Sequence, residues 1–116
     1  MKKDLPLVAR RITAAILGDR YEASIAFVSP REMRRLNRLY RGKDEATDIL
    51  SFPLGKKSGE ILFCRSEVTK EAKRFGRSPA NFLLFLLIHG LLHLKGFAHG
   101  GKMERAERML RKKFGV

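Results

Sequence analysis

Apolar residues recur along this chain with two periods, and each change of period marks an element. Between Pro6 and Leu17, Val8, Ile12, Ala15 and Ile16 fall on one side of a helical wheel. That spacing predicts a first helix, ended by Gly18. Asp4 stands where it can help cap this helix, and Pro6 is tolerated in a first turn. In "YEASIAFV", Ala23, Ile25 and Phe27 alternate with Glu22, Ser24 and Ala26, the pattern of a strand with one buried face. "SPREMRRLNRLY" returns to helical spacing. Ser29 and Glu32 have the spacing of a capping box, and Pro30 takes the first helical position. Met33, Leu36 and Tyr40 share the face expected to point inward, and Gly42 stops the helix.

The second half continues in the same way. "TDILSFP" predicts a short strand from Asp48 to Phe52, ended by Pro53, and "EILFC" predicts another after a loop rich in Gly and Lys. Their close succession suggests an antiparallel hairpin. A helix follows over Glu67–Phe75, stopped by Gly76. Ser78 and Pro79 then open a long apolar helix that ends near Gly96. Gly100 and Gly101 break the chain before a last helix, Lys102–Phe114, with Met103, Ala106 and Leu110 as its apolar stripe and Lys102, Arg105, Arg108 and Lys112 as a basic one. The order α-β-α-β-β-α-α-α predicts an α/β (α+β) fold, a small mixed sheet packed against helices. If the first two strands are parallel, the step between them should be a right-handed crossover.

With 116 residues and no internal repeat or long linker, the chain is expected to form a single domain over residues 1–116. One cysteine, Cys64, excludes an intrachain disulfide and points to a reducing, cytoplasmic setting. Its place in a strand marks it as a small buried residue. "MKKDLPLVARR" leaves no room for the apolar region of a signal peptide. The most apolar run, Phe82 to Leu94, is interrupted by His89, Gly90 and His93, and is shorter than the ~20 residues of a membrane span, so a buried core helix is expected.

Charge narrows the choice of partner. Lys and Arg number 25 against 12 acidic residues, a formal net charge of +13. A field of that sign attracts polyanions and speeds their encounter, which favours a nucleic acid over a membrane surface. Arg31, Arg34, Arg35 and Arg38 occupy the outer face of the second predicted helix and are candidate backbone contacts, with Lys43 close behind.

All three histidines of the chain fall within "HGLLHLKGFAH", His89 to His99. His89 and His93, four apart, share one face of a helix. Gly96 lets the chain leave that helix, so that His99 can swing round to the same point. Three imidazoles so placed can enclose a metal ion, with zinc the default. Three neutral ligands leave the fourth tetrahedral position open, the arrangement of catalytic rather than structural zinc. Such an ion activates water and polarises a phosphoryl or carbonyl oxygen. The position that carries the general base in the protease motif H-E-x-x-H is Gly90, which disfavours peptide hydrolysis.

The same stretch resembles the H-G-x-x-H-L-x-G-[YF]-D-H signature of the YbeY family of bacterial endoribonucleases and rRNA maturation factors. "YRGKDEATDILSFP", Tyr40 to Pro53, is similar to that family's Y-R-x-K-D-x-x-T-[DN]-V-L-S-F-P, and "GEILFC", Gly59 to Cys64, to its G-D-[IL]-x-[IL]-C. The likeness covers about Leu36 to His99. It implies a zinc-dependent, single-strand-specific endoribonuclease acting in 16S rRNA processing, ribosome maturation and ribosome quality control, with rRNA and the small ribosomal subunit or its assembly proteins as partners. It implies His89, His93 and His99 as ligands of one zinc ion and Arg41 as the arginine needed near the metal; a guanidinium there can hold phosphate oxygens bidentately. Asp48 then stands either as an acceptor supporting the site or as a solvated strand residue.

The chain departs from the pattern at Ala98, where the family has an aspartate, and at Glu60, where it has the shorter acid. Family members usually begin with a strand, so one strand fewer is expected here. Ala98 keeps a rival reading open: a non-enzymatic RNA-binding assembly factor whose metal only fixes the fold.

Overall fold

A computed structural model describes residues 7–116. The expected Asp4 cap and Pro6 first turn lie outside them. The elements follow the predicted order: α1 Leu7–Leu17, β1 Glu22–Phe27, α2 Pro30–Arg41, β2 Ile49–Gly55, β3 Ser58–Phe63, α3 Arg65–Arg74, α4 Pro79–Lys95 and α5 Gly101–Phe114. The fold is mixed α+β, with a three-stranded sheet in the order β1-β3-β2. β2 and β3 form the expected antiparallel hairpin, whereas β1 runs parallel to β3. β1 and β2 are therefore neither neighbours nor parallel, and the parallel connection spans α2 and β2 together.

The sheet separates two apolar clusters. Alternate residues send Ile25, Ile61 and Phe63 to the side covered by α1, α3, α4 and α5, and Leu50, Leu62 and Cys64 to the side covered by α2. Cys64 is buried, as its strand position predicts. The long apolar helix α4 is central to the larger cluster and buries Phe82, Leu86, Leu87, Ile88, Leu91 and Leu92. No single helix is long and apolar enough to cross a membrane among the described residues. Lys95, at the end of α4, donates to the Ile16 carbonyl at 2.9 Å and so ties down the C-terminal end of α1.

Four local expectations change. In α1 the buried positions are Ala9, Ile12 and Ile16, while Ala15 is exposed. In α2 Met33 is buried, but Tyr40 is exposed at the last turn, its ring stacked on Phe52 of edge strand β2 at 5.3 Å. Asn37 takes the inward place instead, because its amide donates to the Glu45 carbonyl at 2.8 Å and anchors the loop after the helix. Pro53 does not end β2, which continues to Gly55; on an edge strand the missing N–H can face away from the ladder. The Ser29 cap forms, with its hydroxyl accepting from the Glu32 N–H at 3.1 Å, but the Glu32 carboxylate turns to Arg35 rather than back to the cap.

Candidate metal centre

The histidine group is built by the end of α4 and the turn after it. Ser78 caps the start of α4 by accepting from the Asn81 N–H at 3.1 Å. At the other end Gly96 sits at φ 110°, a conformation that side chains disfavour. Its N–H bonds to the His93 carbonyl, the Phe97 N–H bonds to the Leu92 carbonyl, and the chain doubles back. That reversal brings His99 against the helix: ring centroids are 4.6 Å apart for His89 and His93, 4.7 Å for His93 and His99, and 5.4 Å for His89 and His99. One nitrogen from each ring lies within 4.8 Å of the others, a group that could hold a metal ion.

Hydrogen bonds on the outer side of the rings determine which nitrogens face inward. His93 Nδ1 lies 3.0 Å from the Phe97 carbonyl, which can only accept, so Nδ1 carries the proton. His89 Nδ1 lies 2.8 Å from Glu107 Oε2 on α5 and donates in the same way. With both Nδ1 protons pointing outward, the two Nε2 atoms face each other at 3.1 Å. A proton shared between the two nitrogens or a metal ion held by both satisfies lone pairs so placed. A tetrahedral ion with bonds of about 2 Å holds its ligand nitrogens roughly 3.4 Å apart, so the donor set fits. Burial, and next the neighbouring His89, push His93 below the ordinary imidazole range, which keeps it in the neutral form that binds metal.

Gly90 has a packing role. A Cβ there would stand 3.0 Å from Ile49 Cδ1, 3.4 Å from Ile61 Cδ1 and 3.6 Å from Ser51 Cβ, and the Gly90 carbonyl accepts from Ser51 Oγ at 3.0 Å. This side of α4 faces the sheet, so a glutamate at position 90 would enter an apolar contact.

The other expected site residues make no hydrogen bond or ion pair with the histidines among the described residues. Arg41 is the exposed last residue of α2, on the helix that covers the opposite face of the sheet, and it makes no ion pair or side-chain hydrogen bond among the described residues. Arg31, Arg34, Arg35, Arg38 and Lys43 are all exposed. Arg34 grips Asp44 through two bonds of 2.9 and 3.0 Å, Arg38 reaches the same carboxylate at 3.8 Å, and Arg35 grips Glu32 at 2.8 and 2.9 Å. Exposed pairs of this kind are held weakly, and a phosphate can displace the carboxylate. Asp48 makes no hydrogen bond or ion pair with the histidines among the described residues; burial raises its carboxyl above the usual range. Ala98 is exposed, and the carboxylate beside the histidines comes from Glu107 instead. Sequence reading missed Glu107. The available signal was an acid at the edge of the Met103, Ala106 and Leu110 stripe, in a helix whose charged residues are mostly basic.

Scaffold and site together define a small mixed α+β protein with a three-histidine group able to hold a metal ion. The profile of the family described as Endoribonuclease YbeY matches residues 4–114, and the chain belongs to that family. A relative named endoribonuclease YbeY from Azorhizobium caulinodans is 34% identical over 130 aligned positions, covering 97% of this chain and 82% of that protein. One of the same name from Finegoldia magna is 37% identical over 94 positions, covering 75% of this chain and 61% of that protein. Among solved structures, TM1509 from Thermotoga maritima superposes with a TM-score of 0.68 at 30% identity, over 97% of this chain and 79% of that one. The matched region spans about three fifths to four fifths of these curated relatives.

Proposed function

We propose that this chain is a single-domain, zinc-dependent endoribonuclease that cuts single-stranded RNA, with 16S rRNA processing, ribosome maturation and ribosome quality control as its setting in the cytoplasm. The observation that carries the reading is the convergence of one nitrogen from each of His89, His93 and His99 within 4.8 Å, with the Nε2 atoms of His89 and His93 facing each other at 3.1 Å. Relatives named endoribonuclease support the RNA substrate, and the net charge of +13 suits it.

In this reading His89, His93 and His99 hold one zinc ion, which when bound supplies a Lewis acid next to the scissile phosphate. Glu107 and the Phe97 carbonyl fix the His89 and His93 rings with Nε2 inward. Arg41 binds phosphate oxygens and offsets charge that builds in the transition state. Arg31, Arg34, Arg35, Arg38 and Lys43 hold the RNA backbone, and Arg34, Arg35 and Arg38 exchange their carboxylate partners for phosphates. Attack by water and attack by the neighbouring 2′-hydroxyl both suit such a site. A 2′,3′-cyclic phosphate product eliminates direct water attack as the first step.

The test is metal content and RNA cleavage on one preparation, with and without chelator, alongside His93→Ala. The expected result is one zinc per chain, cleavage lost with chelator, and no cleavage by the folded variant. Cleavage by His93→Ala at the parent rate defeats the proposal. Ala98, exposed where the family pattern has an aspartate, favours one rival: an RNA-binding assembly factor whose metal only fixes the fold. Bound metal and RNA binding without cleavage would establish that rival.

A further inference from the structure

One turn back along α4 from His89, an aromatic cluster joins α3, α4 and α5. Phe82 is buried and closes the core there. Phe75, at the end of α3, and Phe85 pack against it at centroid distances of 5.2 and 5.5 Å, and lie 6.1 Å from each other. Core closure accounts for Phe82. It does not account for Phe75, which remains 57% exposed. A large apolar ring left in water forgoes the burial that would stabilise the fold.

The cations around the cluster are also specific. The Arg77 guanidinium lies 4.5 Å from the centre of the Phe85 ring and that of Arg111 lies 5.2 Å from it. Arg77 is also held by the Asn81 side-chain oxygen. Arg111 has no carboxylate partner among the described residues. The cluster is thus an open ring bordered by positive charge, continuous with the histidine group. Phe85 precedes His89 by four residues, and Arg111 follows Glu107, the partner of His89, by four. Each step is one helical turn, roughly 5.4 Å.

We infer that Phe75, Phe85, Arg77 and Arg111 form a stacking platform that carries the bases of single-stranded RNA next to the histidine site. Bases of any sequence stack on aromatic faces and guanidinium planes, while arginines pair with the phosphates between them. A protein partner or a lipid surface would call for a wider apolar patch, whereas here a single exposed ring lies among cations. A duplex keeps its bases stacked within itself and has no use for the ring. The inference rests on the proposed RNA substrate and adds where the strand lies and why it must be single.

The test is equilibrium binding of a fluorescein-labelled 2′-O-methyl oligouridylate to the metal-loaded protein, read by anisotropy, with the oligonucleotide checked intact on a gel. Phe75→Leu keeps an apolar side chain and removes the π face; it should weaken binding roughly tenfold, with melting temperature unchanged. Phe75→Tyr should restore binding. Arg111→Gln should reduce the slope of log K against log salt by about 0.7, one phosphate contact on a single strand. Parent-like binding by Phe75→Leu overturns the platform, as does an equal loss on a duplex of the same length. Absence of binding by the parent defeats the RNA reading itself.

Discussion

Glu107 Oε2 lies 2.8 Å from His89 Nδ1, so the last helix reaches across and fixes the orientation of the first histidine of the site. The Glu107 side chain is only 13% exposed and the bond is shielded from water. Its carboxylate holds the Nδ1 proton, turns Nε2 inward and makes the ring a stronger donor to metal. Glu107→Ala should therefore weaken metal affinity about 10- to 100-fold. Glu107→Gln, whose amide oxygen can still accept, should lose less. Competition against a chromophoric chelator measures both; unchanged affinity in the alanine variant would show that His89 needs no such support.

Gly90 lies between two histidine-bearing turns yet faces the sheet, with Ile49 Cδ1 3.0 Å from where a Cβ would stand. Gly90→Glu would restore the protease spelling of the motif and fail as a protease. Its carboxylate would be forced against Ile49 and Ile61, or the helix would have to lift from β2. The expected cost is at least about 2 kcal/mol, from overpacking and from burying an unpaired acid. Urea unfolding reads it directly, and a midpoint equal to that of the parent would mean that α4 can move away without loss.

How much of this could be read from the chain depended on the range of the interaction. The elements were legible because each carries its own period and punctuation: Ser29 and Ser78 as caps, Gly42 and Gly96 as stops. The three histidines were legible because an i, i+4 pair and a glycine turn are local geometry. The parallel partner of β1 was not, since β1 pairs with β3 across α2 and β2. Tyr40 follows the helical period of Met33, but the last turn of α2 meets the edge strand, and only the assembled fold shows this. Glu107 joins the site from another helix, 18 residues from His89 in sequence, so its role depends on how α4 and α5 pack.

Arg41 offers a separation of chemistry from metal binding. It is exposed and its side chain makes no hydrogen bond or ion pair among the described residues, so its removal should leave zinc content and melting temperature unchanged. If it stabilises the transferring phosphate, Arg41→Ala should lower kcat/KM about 100-fold. Arg41→Lys should recover only part of that, because an ammonium cannot grip two phosphate oxygens in a fork. Cleavage by Arg41→Ala at the parent rate would remove this residue from the mechanism while leaving the metal centre in place.

Asp48 predicts a pH dependence that belongs to the fold rather than to the site. Burial raises its carboxyl above the usual range, with Glu71 adding repulsion; the Ile49 N–H and the Thr47 hydroxyl act in the opposite direction without cancelling it. The folded state then holds this proton more tightly than the unfolded state does. By linkage, the stability associated with protonated Asp48 is fully present below the unfolded aspartate pKa and is lost as pH rises through the raised folded value. At neutral pH the carboxylate is ionised in a poorly solvated place. Asp48→Asn keeps an oxygen to accept from Ile49 and has no charge to desolvate. The variant should melt higher than the parent at pH 7, and the difference should shrink as pH falls through the carboxylate range. Melting curves of both proteins from pH 3 to pH 7 test this. A gap that stays constant with pH would assign the effect to packing, and a variant less stable at pH 7 would show that the charge at position 48 is needed.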